Sequence, residues 1–74
     1  MDKEIFSRNF NVERKLLFFD LRENQRGRFL RITEDVGGRR DAVIIPAAGL
    51  EQLRTVVDEL IRADAEAGPP RSSG

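Results

Sequence analysis

The chain has no cysteine, no histidine, no tryptophan and no tyrosine among its 74 residues. Without cysteine there is no disulfide to staple a small fold, and the thiolate and imidazole metal ligands are missing too. A domain this short buries a smaller share of its surface than a larger one. It commonly borrows stability from a cross-link, a metal or a partner chain. With the first two removed, oligomerisation is the expected source. Lack of cysteine also fits a reducing compartment.

The same gaps exclude the common catalytic sets. Serine occurs only at Ser7, Ser72 and Ser73, with no imidazole to activate it, and the carboxylates sit among bases in ordinary charge pairs. Neither a nucleophile–base set nor metal-ligand spacing is present, so a binder is expected, not an enzyme, with no cofactor, metal or small-molecule substrate. The opening MDKEIFSRNF lacks the apolar core of a signal peptide, and no run is long enough to span a bilayer. A soluble cytoplasmic protein without a membrane partner follows as the expectation.

Net charge is absent as well: 13 basic residues balance 13 acidic ones. That argues against bulk adhesion to a polyanion but not against a local patch. Residues 1–46 carry ten Lys/Arg against eight Asp/Glu, and residues 47–74 carry three against five. The positive excess gathers in LRENQRGRFLRI, residues 21–32, where Arg22, Arg26, Arg28 and Arg31 face Glu23 alone among acids.

Four strand-like segments precede one helix. They cover residues 5–13, 15–24, 27–35 and 40–46, the last closing at Pro46, which cannot donate to a ladder. In the second, odd positions Leu17, Phe19 and Leu21 are apolar, while even positions run from Leu16 and Phe18 to Asp20, Arg22 and Asn24. Period two of this kind marks one buried face and one mixed face. NQRG, residues 24–27, suits a hairpin loop around a type I turn. It sets Glu23 opposite Arg28, Arg22 opposite Phe29, Leu21 opposite Leu30, Asp20 opposite Arg31 and Phe19 opposite Ile32. A second hairpin at VGGR, 36–39, would pair Ile32 with Val43 and Leu30 with Ile45, but also Glu34 with Asp41, a like-charge contact.

From about Ala48 the period becomes helical. Leu50, Leu53, Val57 and Leu60, widened by Val56 and Ile61, form an apolar stripe that weakens past Ala63. The expected fold class is α+β, a four-stranded antiparallel sheet followed by one C-terminal helix covering its apolar face. The stripe is wider than one sheet face needs. Leu53, Val56, Val57, Leu60 and Ile61 are therefore expected at an interface with a second copy of the chain. Residues 64–74, ending GPPRSSG, are expected as a disordered tail.

The mixed sheet face then combines rings with guanidinium groups. Phosphates of a flexible single strand need cations, and its unpaired bases need flat surfaces to stack on. Arginine serves both purposes. Arg22, Asn24 and Arg26 alternate into the turn, with Phe29 across from Arg22 and with Arg28, Arg31 and Phe18 nearby. Each also has a structural reading: a local cation–π pair, an Asp20–Arg31 cross-strand bridge, a turn-forming Asn24.

FFDLRENQRGRFLRITED followed by GRRDAVIIPAAGLEQLRTVVDEL resembles a PUR repeat, the unit of the purine-rich-element-binding proteins and their single-repeat bacterial relatives. The likeness covers residues 5–63. It implies a Whirly-like β-β-β-β-α unit whose helices interlock, here as an intertwined homodimer. It further implies binding of single-stranded DNA and RNA with a G-rich purine preference, local separation of duplex strands, and regulation of gene expression. In the family the basic–Asn–Arg motif contacts bases and backbone, and the following phenylalanine stacks on a base. Those roles fall on Arg22, Asn24, Arg26 and Phe29. Arg22 stands where lysine is common, and Phe18-Phe19 where tyrosine is common. A bacterial cytoplasmic protein associated with the nucleoid is implied. The competing expectation is a protein–protein interaction module of the same fold that binds no nucleic acid.

Overall fold

Alternation of apolar and polar residues up to Pro46 builds four strands. The computed structural model describes residues 2–69 and shows β1 (Lys3–Val12), β2 (Lys15–Asn24), β3 (Gly27–Val36) and β4 (Arg39–Pro46). They form one antiparallel sheet in the order β1-β2-β3-β4. A short 3-10 turn (Ala47–Gly49) leads into helix α1 (Leu50–Glu66). The helix thus runs past residue 63, where the repeat was expected to end. Residues 70–74 of the expected tail lie outside the described residues.

The β2–β3 register is the expected one, with Glu23 paired to Arg28, Arg22 to Phe29 and Leu21 to Leu30. Its turn is closed by the Arg26 N–H donating to Asn24 Oδ1 at 2.8 Å, and Gly27 takes φ 135°, a value that favours glycine. At the β3–β4 turn, Gly37 and Gly38 have φ 61° and 86°, the paired positive values of a two-residue hairpin. This register does oppose Glu34 to Asp41. Lys15 relieves the repulsion, its Nζ lying 2.8 Å from Glu34 Oε2. The hydrogen bond to Glu34, and then its charge, hold the Lys15 ammonium above the ordinary lysine range. A raised lysine pKa means the pair contributes fully at neutral pH and is lost only as the pH rises through that higher value.

Strand β1 carries one irregularity. Phe6 pairs with Leu21 but Glu4 pairs with Arg22, leaving Ile5 as the extra residue of a bulge. Continued without the bulge, the ladder would set Ile5 against Arg22 and Glu4 against Glu23. With it, Glu4 meets Arg22 and Lys3 meets Glu23.

One sheet face is apolar. Phe10 and Phe19 stack with ring centroids 5.4 Å apart, and Arg8 lies 4.1 Å above the Phe6 ring. The expectation that α1 covers this face within the chain is not met. Leu30 is the only buried hydrophobic residue among the described residues, whereas Phe6, Phe10 and Val43 remain half exposed. The helix stripe is bare too, with Leu60 and Ile61 61% and 62% exposed. The helix leaves from the edge strand β4 through the 3-10 turn and has that turn as its main neighbour, not the sheet face. The molecule accordingly measures 46 × 30 × 15 Å, longer than the roughly 33 Å spanned by a ten-residue strand.

Candidate nucleic-acid interface

Register partners and alternate positions share a face, which sorts the expected site residues. Arg22, Asn24, Phe29 and Arg31 stand on the mixed face around the β2–β3 hairpin, and Phe18 lies farther along β2. Arg28 takes the register of the apolar face. Its Nε and Nη2 donate to Glu23 Oε1 at 3.1 and 2.9 Å. Arg26 sits at the exposed loop tip; among the described residues its guanidinium makes no ion pair and no hydrogen bond.

A cleft of about 390 Å³ opens between this hairpin and β4, lined by Asn24, Arg26, Gly27, Arg28, Phe29, Ile44 and Pro46. Phe29 is half-buried there, neither sealed under other side chains nor standing free. Its partner across the ladder is Pro46, and Ile44 opposes Arg31. Ile44 and Pro46 were not singled out from the sequence. The same register that pairs Leu30 with Ile45 could have found them, since it carries Pro46 to Phe29. Asn24 is both turn-former and cleft residue. Its Oδ1 is engaged by the Arg26 N–H, so its amide presents donors to the cleft.

The cations of this face are mostly engaged. Arg31 Nη2 lies 3.7 Å from Asp20, whose other oxygen accepts from the Ser7 hydroxyl at 2.6 Å. Arg22 does not stack on Phe29. Its Nε and Nη1 lie 3.6 and 3.7 Å from Asp2 and Glu4, and its side chain is 20% exposed. The ring that carries a cation on this face is Phe18, with Arg40 5.2 Å from its centroid and bonded to Asp35 at 2.9 Å. Arg40 too escaped the sequence reading, although the second hairpin sets it opposite Asp35.

Such a chain is a single sheet-plus-helix unit with a largely apolar cleft at its central hairpin, lined by Phe29, Ile44 and Pro46 with Asn24, Arg26 and Arg28 beside them. The family model described as PurA ssDNA and RNA-binding protein matches residues 2–69, and the chain belongs to that family. It is 45% identical over 49 residues to the transcription factor Pur-alpha 1 of Arabidopsis thaliana, covering 66% of this chain and 17% of that protein. It is 28% identical over 68 residues to the human transcriptional regulator Pur-beta, covering 90% of this chain and 22% of that protein. The chain therefore spans about a fifth of the length of these curated relatives. No helix among the described residues is long and apolar enough to cross a membrane.

Proposed function

We propose that the chain binds single-stranded DNA and RNA through the β2–β3 hairpin and the cleft beside it, and that it works as a homodimer. The observation that carries the binding reading is the cleft. An aromatic ring and two apolar walls form one opening of base-accommodating size, and Asn24, Arg26 and Arg28 line it with them. Phe29 stacks a base, Arg26 meets the backbone at the loop tip, and Arg22 is the second phosphate contact. Donors without a free side-chain acceptor favour a base edge that presents acceptors. Guanine offers N7 and O6 side by side, whereas adenine pairs N7 with an amino donor. That supports the G-rich purine preference expected of the family. An occupied cleft would also hold a base that the complementary strand needs, which favours local strand separation. Binding of this kind fits a cytoplasmic regulator of gene expression that performs no catalysis.

The dimer rests on surface area. The chain exposes 6630 Å², whereas a folded monomer of 8.4 kDa is expected to expose about 4,600 Å². The excess of about 2,000 Å² has the scale of an obligate interface. An α1 stripe from each chain laid on the other's apolar face would cover both. Unfolding is then concentration-dependent, and the melting midpoint should rise with protein concentration, as a dilution series in calorimetry would show. An unchanged midpoint over a hundredfold dilution would count against the dimer.

Binding is tested by fluorescence polarisation with a labelled G-rich single strand against a pyrimidine strand of equal length. Equal affinity for both would reject the guanine preference, and no binding to either would favour a protein–protein module. Arg26→Ala should weaken binding to every sequence alike. It should also lower the slope of log affinity against log salt by about 0.7, the share of one phosphate contact on a single strand.

A further inference from the structure

The central arginine of the hairpin is already occupied by the chain's own acids. Asp2 Oδ2 lies 3.6 Å from Arg22 Nε, and Glu4 Oε1 lies 3.7 Å from Arg22 Nη1. These distances neutralise charge without making hydrogen bonds, and Arg22 Nε is buried with no hydrogen-bond partner. The guanidinium is therefore held, and its Nε is not satisfied. The β1 bulge supports the same reading independently, because the extra residue Ile5 is what sets Glu4, in place of Ile5 itself, opposite Arg22. Asp2 and Glu4 are 48% and 57% exposed in their side chains, free to swing away, whereas Arg22 is 20% exposed.

We propose that Asp2 and Glu4 form an internal competitor for Arg22, displaced when a nucleic-acid phosphate binds. The inference rests on the reading of Arg22 as a phosphate contact. A phosphate oxygen supplies the hydrogen bonds that the longer carboxylate contacts leave unmade, and charge-assisted bonds of that kind are the strong ones. Binding at Arg22 is then an exchange of one anion for another, and net affinity falls by what the two carboxylates contribute. The acids lower affinity and leave the base cleft untouched.

The test is the double variant Asp2→Asn, Glu4→Gln, titrated by polarisation with a labelled G-rich single strand of DNA at fixed salt. Both changes are exposed and isosteric, so folding is preserved. Affinity should rise about three- to tenfold, the scale of two released surface ion pairs. The control Glu59→Gln, Glu66→Gln removes equal charge from the helix and should change affinity far less. In an Arg22→Ala background the Asp2/Glu4 gain should vanish. Unchanged or weaker binding by the double variant overturns the competitor, as does an equal gain from the helix control or in the Arg22→Ala background. Should Arg22→Ala alone bind as tightly as the native chain, the phosphate role of Arg22 fails and the competitor with it. If Arg22→Ala weakens binding while the acid pair changes nothing, only the competitor fails.

Discussion

Replacing Phe29 by alanine is expected to lower affinity for a G-rich single strand by roughly 5- to 150-fold, the loss of one stacked base worth about 1–3 kcal/mol. The ring lines the cleft with Ile44 and Pro46 on β4, so its removal takes away the flat surface while leaving the hairpin backbone closed by the Asn24 turn. A polarisation titration measures the loss. Phe29→Leu separates stacking from simple filling of the cleft. Leucine keeps much of the apolar volume and has no π-face, so its affinity should fall nearly as far as that of alanine. Circular dichroism melts of both variants should stay close to the native protein, because Phe29 lies on the face opposite the apolar one. Should both variants bind like the native chain, the cleft does not hold a base.

The second large effect belongs to the helix. Leu60 and Ile61 are 61% and 62% exposed in the single chain. If the chain worked alone, Leu60→Glu with Ile61→Glu would change stability by no more than about 0.5 kcal/mol per site. In the proposed dimer the same pair forfeits about 1.5–3 kcal/mol of side-chain burial at each position. Each glutamate must then also lose its water or keep the helix off the sheet. The loss is comparable to the whole stability of a small domain, about 5–15 kcal/mol. Sedimentation should show the dimer gone, and the cooperative melt should vanish with it. A monomeric, fully folded double variant would refute the shared core.

How much of this was legible in the sequence differs between elements. The β2–β3 register was legible because period-two alternation and cross-strand charge agree on it: Leu21 meets Leu30 and Asp20 meets Arg31. The Glu34–Asp41 clash made the second hairpin look doubtful, yet its register stands. Lys15, far away in sequence, supplies the missing charge. Where the helix goes was not legible. An amphipathic stripe says that a face is suited to burial, not against whose sheet, and nothing in the spacing of Ala47–Gly49 settles that. At the site, side-chain types located the hairpin but not its partners. Alternation alone puts Glu4 and Phe6 on one face, and a bulge cannot be counted from composition, so the acids at Arg22 went unseen.

The bare helix stripe and apolar sheet face of the single chain also bear on how the proposed dimer would come into being. A newly made chain can lay down its meander quickly, since every strand pairs with its neighbour in sequence. In the proposed dimer its last step is an encounter between two molecules, with a rate that scales with how many are present. Scarcity, not heat, would then be the mildest denaturant, and a cell making too few copies would hold them half finished and open to proteases.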